Sequence, residues 1–158
     1  MRFDFTKSNV KDWNRNAMQG DVRLREVNDT IVIEFGNSAI NKLGIEEGSY
    51  FRYAFNEETD EYGRVFEAGR YIAFEFYGTK LRGCRKISKG RDKYFLPVRG
   101  KEEVELLRAF MDGQTTVEYK LYVDAYSESE EKTFVIDKRS PWDETKAENY
   151  RKKYGGRH

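Results

Sequence analysis

Apolar and polar residues alternate along much of the chain, and this period of two is typical of half-buried β-strands. The alternation is cleanest in residues 115–126, where Val117, Tyr119, Leu121 and Val123 point to one face. We therefore predict one continuous strand there. Further strands are predicted at residues 1–5, 49–58, 64–77 and 132–137, and on either side of a basic loop within residues 79–98. The 64–77 segment is interpreted as two short strands, or as one strand broken at Gly69.

Residues 21–35 are predicted to form a β-hairpin. Apolar residues of "DVRLREV" and "TIVIEF" lie on either side of the dipeptide Asn28-Asp29. Both residue types favour tight turns, because their short polar side chains tolerate left-handed backbone. The two runs therefore predict adjacent antiparallel strands.

Three segments carry helical signals. The clearest is residues 99–113, with acidic residues in its first turn, Gly113 at its end, and apolar residues at helical spacing. Those apolar residues are Val104, Leu107, Phe110 and Met111. A second short helix is predicted within residues 8–20. The third spans "NSAINKLG", with Asn37 or Ser38 as its N-cap and Gly44 as the left-handed residue that ends it.

These elements predict an α+β fold, built mainly from one or two antiparallel sheets with two or three short helices. A chain of 158 residues suits one domain. We assign residues 1–140 to a single α+β domain, with two subdomains at 1–60 and 61–140 as the alternative. Pro141 then opens a polar C-terminal helix or tail, residues 141–158.

Composition favours a cytoplasmic protein. The formal net charge is +1, so no overall field favours a nucleic-acid partner and local patches must be compared instead. Cys84 is the single cysteine, which excludes an internal disulfide and suits a reducing compartment. No apolar run approaches the roughly 20 residues of a membrane helix, and the first ten residues lack the apolar core of a signal peptide. We expect no membrane association.

Residues 22–55 run strand, short helix, strand, joined by "INKLGIEEGS". Gly44 would end the helix, Ile45 would fill the core, and Gly48 would turn the chain into the next strand. The segment resembles the swapped-hairpin domain of AbrB/MazE-type transcription factors, in which two halves interleave in a dimer. The resemblance implies a homodimer whose first hairpin contacts DNA through Arg23 and Arg25. The family begins its helix with proline, where this chain has "GNS". The remaining hundred residues have no counterpart there, and the pattern is similar to small phage-encoded proteins.

A basic segment follows at residues 80–93. Its cations are Lys80, Arg82, Arg85, Lys86, Lys89, Arg91 and Lys93, opposed only by Asp92. Basic groups neutralise phosphates, and the neighbouring aromatic residues Tyr77, Tyr94 and Phe95 offer stacking faces. With Arg23 and Arg25, these cations and Tyr94 form the predicted nucleic-acid site, for DNA or RNA. The alternative is a solvated loop whose charge is balanced elsewhere.

Two acidic stretches oppose this interpretation. One contains Glu57, Glu58, Asp60 and Glu61, and the other contains Glu128, Glu130 and Glu131. Acidic side chains can mimic phosphates, as inhibitors of nucleic-acid enzymes do, or simply keep turns solvated. The alternative function is therefore a protein-binding accessory factor, such as a phage-type inhibitor of a host enzyme.

Catalytic chemistry is not indicated. The single histidine is His158, which excludes catalytic triads and metal sites that need histidine elsewhere in the sequence. Cys84 has basic neighbours but no histidine base, and no Gly-rich phosphate loop is present. We expect no enzyme activity, no cofactor and no metal.

Overall fold

The computed structural model of the protein describes residues 18–124 and 133–142. The predicted strand at 1–5, most of the predicted helix at 8–20, and residues 143–158 lie outside these ranges. The described elements, in chain order, are β1 (Val22–Val27), β2 (Thr30–Phe35), α1 (Asn37–Leu43), β3 (Tyr50–Phe55), β4 (Tyr71–Tyr77), β5 (Arg85–Lys86), β6 (Ser88–Lys89), β7 (Tyr94–Val98), α2 (Lys101–Phe110), β8 (Thr116–Tyr119), β9 (Tyr122–Val123) and β10 (Phe134–Asp137).

The described strands form two five-stranded sheets. Sheet A has the order β6-β7-β2-β1-β8, and sheet B has the order β5-β3-β4-β10-β9. Every neighbouring pair is antiparallel. The predicted hairpin at 21–35 is confirmed as β1 and β2, and its turn residues Asn28 and Asp29 have positive φ angles of 48° and 61°. The mainly antiparallel architecture with short helices is therefore as predicted.

The two sheets meet at both edges, because two segments of the chain pass from one sheet to the other. β5 pairs with β3 of sheet B, and β6, one residue later, pairs with β7 of sheet A. The intervening Ile87 is buried, and its N–H donates to the Ser49 carbonyl at 2.8 Å. At the opposite edge β8 pairs with β1 and β9 with β10. Such strands that change sheets form the corners of a flattened barrel.

The second corner corrects the prediction of one strand over 115–126. The described part of that segment consists of two short strands separated by Lys120 and Leu121. Leu121 is buried at the bend, and its N–H donates to the Asp21 carboxylate at 2.8 Å. Of the two alternatives predicted for 64–77, the structure has one strand, β4. Before it, Val65 forms only a single β-bridge, with Thr59.

One hydrophobic cluster fills the space between the sheets. Phe35 of β2 lies at its centre, with edge-to-face contacts to Phe51, Phe74 and Phe76 of sheet B at centroid separations of 5.6, 5.2 and 5.2 Å. Edge-to-face aromatic pairs add to the stabilisation from buried area. The core therefore joins the two sheets into one packed unit.

Helix α2 covers one end of this core. Its predicted apolar face is confirmed, since Val104, Leu107 and Phe110 are buried, as is Met111 directly after the helix. The Phe110 ring contacts that of Tyr119 in sheet A, at 5.3 Å between centroids. None of the helices in the described ranges is long and apolar enough to span a bilayer.

Helix α1 connects the two sheets, and its N-terminus differs from the prediction. The N-cap is Gly36, with no side-chain cap, and Asn37 is the first helical residue. Ser38 instead donates its hydroxyl to the buried Asp21 carboxylate, which also accepts from Lys42 at 3.1 Å. The predicted end is confirmed, because Gly44 is left-handed with φ of 65°. Ser38 thus anchors the helix to sheet A instead of capping it.

Candidate nucleic-acid interface

The basic segment, residues 80–93, contains the corner at which the chain passes from sheet B to sheet A. Lys80 and Arg82 lie in the turn between β4 and β5, where the Cys84 N–H donates to the Leu81 carbonyl at 3.1 Å. The chain then forms β5 and β6 and turns at residues 90–93 into β7. Because the segment changes sheets within five residues, its cations are distributed over more than one surface.

Four of the predicted cations are exposed and make no ion pair with any described residue. They are Lys80, Arg82, Lys86 and Arg91. The first three belong to sheet B and the turn that precedes β5. Arg91 lies apart from them, at the tip of the β6–β7 hairpin. The first three therefore form a local excess of positive charge.

Two further predicted cations have carboxylate partners. Arg85 donates to Glu103 of helix α2 at 2.6 Å. Lys89 lies 3.6 Å from the exposed Glu47, which is a loose contact. Exposed ion pairs of this kind contribute little free energy, so Lys89 remains available to an anionic ligand more readily than Arg85.

Arg23, Arg25 and Lys93 converge on the buried carboxylate of Glu34. Arg23 donates from Nε and Nη2 at 3.0 Å each, and Arg25 donates from Nε at 3.0 Å. Lys93 completes the set. The Glu34 side chain is fully buried, whereas those of Arg25 and Lys93 are 39% and 31% exposed. We call these four residues the Glu34 cluster.

Burial raises the pKa of Glu34, but hydrogen bonds from Arg23, Lys93 and Arg25 outweigh it and hold the pKa at about 2. Glu34 is thus charged at neutral pH, and each cation is committed to it. Arg23 is itself buried. The geometry therefore supports a structural role for the three cations that were predicted as nucleic-acid contacts.

The aromatic residues beside the exposed cations are only in part those predicted. Tyr94 packs against the hydrophobic core. Tyr77, which was predicted, stands on β4 opposite Tyr50 of β3, which was not, and Tyr50 also pairs with Lys86 of β5. The alternation within β3 and β4, which places Phe51 and Phe76 inward, was the available signal for these two outward tyrosines.

Tyr50 and Tyr77 are not equivalent. The Tyr77 hydroxyl donates to Glu75, and the Arg52 guanidinium lies 5.6 Å from the Tyr77 ring centroid. Tyr50 makes no side-chain hydrogen bond with the described residues. Its half-buried ring is therefore the more available face for stacking. We call Tyr50, Tyr77, Lys80, Arg82 and Lys86 the basic-aromatic surface.

The other end of the same sheet face holds an open groove of about 1310 Å³. Small side chains of adjacent strands form its floor: Ala54, Ala73 and Val135. Around the floor stand Tyr71, Tyr122, Tyr62 and the carboxylates of Glu57, Asp60, Glu61, Asp124 and Asp137, with the Arg64 cation. We call this feature the acidic groove. Asp60 is paired with Arg64 and Asp137 with Arg70, so its excess of negative charge comes from the exposed Glu57 and Glu61 and disfavours binding of a polyanion.

The part of the chain that the structure describes contains no group of three or more histidine, cysteine or acidic residues arranged to hold a metal ion. Cys84 is a free thiol that is buried. The candidate site thus consists of the charged and aromatic side chains on the outer face of sheet B.

Comparison with known proteins finds no match: no family model fits the chain, and no curated protein or solved structure is significantly similar to it. The function is therefore inferred from the arrangement of this chain's own residues. The AbrB/MazE-type resemblance of residues 22–55 stays a prediction.

Proposed function

We propose that the protein binds nucleic acid, DNA or RNA in single-stranded form, through the basic-aromatic surface. The observation that carries this proposal is the position of Lys80, Arg82 and Lys86. None of them has a carboxylate partner among the described residues, and Lys86 lies beside the outward ring of Tyr50. Cations that neutralise phosphates, next to rings on which bases stack, are the two elements of single-strand recognition.

A sheet face suits a single strand better than a duplex for this set of residues. Duplex grooves are read by an inserted helix or ribbon. Stacking on Tyr50 or Tyr77 instead requires unpaired bases, which are accessible only in single strands. Three phosphate contacts also imply modest, salt-sensitive affinity, with a slope of log K against log salt of about −2.

The test is fluorescence anisotropy with a labelled oligo-dT strand over a range of salt concentrations. In the variant K80Q/R82Q/K86Q, affinity at low salt falls about tenfold, which corresponds to about 0.5 kcal/mol per cation. The salt slope decreases by about 2, since three counterion-releasing contacts are lost. The control R99Q/K101Q/K138Q removes the same charge elsewhere and leaves the slope unchanged. If oligo-dT affinity and its salt slope fell equally in both variants, the binding would reflect only the overall charge of the protein.

Tyr50 gives the second arm of this experiment. Tyr50→Ala weakens binding by about 1–3 kcal/mol, the range for loss of one stacked base, whereas Tyr50→Phe keeps the ring and retains affinity. If both variants bind like the unmodified protein, stacking on Tyr50 plays no part.

A second candidate function is binding of a protein partner, such as a host enzyme. The acidic groove favours it, because carboxylates around an apolar floor suit a basic segment of another protein. The anisotropy measurement separates the two candidates. Absence of binding to any single-stranded or duplex probe at low salt would leave the protein-binding function as the better supported one.

A further inference from the structure

The outer face of sheet B is divided into two oppositely charged ends. Register places Tyr50 opposite Tyr77, Arg52 opposite Glu75, and Ala54 opposite Ala73. The first pair belongs to the basic-aromatic surface, and the last pair forms the floor of the acidic groove. Between them, Arg52 donates to Glu75 at 2.7 Å, so the central row is neutral.

Charges at the two ends are uncompensated to a similar degree. At the acidic end Glu57 and Glu61, which line the acidic groove, and Glu58 beside them are exposed and make no ion pair with described residues. At the basic end Lys80, Arg82 and Lys86 are in the same situation. Three acids at one end therefore match three bases at the other.

The shapes of the two ends also match. Tyr50 and Tyr77 project large rings at one end, while Ala54, Ala73 and Val135 leave a hollow at the other. Four residues separate ring from hollow along each strand, which is a distance of about 13 Å. The groove walls add the exposed apolar side chains of Tyr62, Tyr122 and Val123. Exposed apolar surface of this kind marks interaction sites.

We propose that the outer face of sheet B binds the same face of a second copy of this chain, in an antiparallel arrangement about a two-fold axis. The axis lies along the Arg52–Glu75 row, so the basic-aromatic surface of each copy meets the acidic groove of the other. A two-fold interface requires a patch that complements itself, and a face with opposite ends satisfies this condition. Tyr77 of one copy then lies over the Ala73 floor of its partner.

The interface is small. The strands of sheet B have 2, 6, 7, 4 and 2 residues, so at about 3.3 Å per residue and about 4.8 Å per strand each copy contributes roughly 330 Å². The two faces together bury roughly 700 Å² before the loops are counted, which is less than the roughly 1,000 Å² of a stable interface and places the dimer in the weak, transient class. The dimer is therefore reversible and weakens with salt, since part of its specificity is electrostatic.

The test measures the dimer dissociation constant by sedimentation equilibrium of the full chain. E57K/E61K makes both ends basic, and R82E/K86E makes both ends acidic. Each variant alone raises the dissociation constant by about tenfold or more, because every substitution acts twice in a two-fold interface. An equimolar mixture of the two variants restores a dimer, because basic ends then face acidic ends. The control R99E/E105K reverses one charge of each sign away from this face and dimerises like the unmodified protein.

The idea is overturned if the unmodified chain remains monomeric throughout, if neither reversal changes the dissociation constant, or if the mixture of variants stays monomeric. Mixed species that grow beyond two chains also overturn it, because they indicate head-to-tail association. Thermal unfolding of each variant verifies the fold, which these exposed residues do not support. E57K/E61K keeps Lys80, Arg82 and Lys86, so its oligo-dT binding reports on the proposed function independently of the dimer.

Discussion

Glu34 stabilises the fold only while its carboxylate is charged. Its pKa is about 2 in the folded protein, below the ordinary value of 4.5. A group with a lowered folded pKa contributes stability that is complete above its unfolded pKa and is lost as the pH falls through the folded one. For Glu34 this window extends from about pH 4.5 down to about pH 2, and the shift corresponds to about 3 kcal/mol.

Glu34→Gln is therefore expected to lower the free energy of unfolding at pH 7 by about 3 kcal/mol, because three converging cations lose their counter-charge. It also flattens the dependence of stability on pH between 4.5 and 2. Urea unfolding at a series of pH values measures both effects. Glu105→Gln is the control, because Glu105 is exposed and makes no ion pair with the described residues. If the free energy of unfolding of Glu34→Gln still falls with pH between 4.5 and 2 as steeply as in the unmodified protein, other carboxylates determine the acid sensitivity.

The Glu34 cluster also explains why Arg23 and Arg25 were predicted as DNA contacts. In an alternating strand, outward charged residues are expected to be exposed, and both arginines do lie on the outward face of β1. Their acceptor is eleven and nine residues away, across the hairpin. Sequence alternation identifies a face but not which outward residues become buried, so the burial of Arg23 required the structure.

At the scale of elements, Gly44 carries the sharpest sequence prediction that the structure confirms. Its φ of 65° is left-handed, and an added Cβ would meet no atom within 4 Å. Gly44→Ala is therefore expected to cost about 1–2 kcal/mol, entirely from backbone strain. Gly78 offers a matched control, since its surroundings are equally open and its φ is not in the left-handed region. Chemical denaturation compares the two variants, and equal stability for both would contradict the strain argument.

The corners of the barrel are the elements that alternation did not predict. Val117, Tyr119 and Leu121 keep their inward direction through the bend, so the period of two continues where the hydrogen-bond partner changes from β1 to β10. A pattern of side-chain faces contains no information on which strand lies alongside. The prediction of one continuous strand therefore had the right faces as far as Leu121 but the wrong connectivity, and Val123, which it placed on the inward face, is 50% exposed.

At the scale of the whole molecule, a net charge of +1 conceals an uneven distribution. Blocks of acid and base were visible in the sequence, but their placement at opposite ends of one sheet face depends on the register of β3 with β4 and β5. Because of that register, the acidic loop and the basic loop lie at opposite ends of one continuous surface. The two proposed ligands of the basic-aromatic surface, a nucleic acid and a second copy of the chain, would therefore contact the same three cations.

Sharing of Lys80, Arg82 and Lys86 predicts competition between nucleic acid and the second copy, a consequence that rests on both proposals. Oligo-dT that binds only the monomer multiplies the apparent dissociation constant of the dimer by the square of 1 + L/Kd, where L is the free oligo-dT concentration and Kd its dissociation constant from the monomer, because each dimer yields two monomers. Sedimentation with increasing oligo-dT is expected to replace the dimer by a complex of one chain with one strand. For E57K/E61K, whose dimer is expected to be about tenfold weaker or more, oligo-dT affinity depends correspondingly less on protein concentration. A complex of two chains with one strand, if E57K/E61K weakened it, would contradict competition. It would show that the face-to-face dimer binds oligo-dT and leaves the three cations accessible.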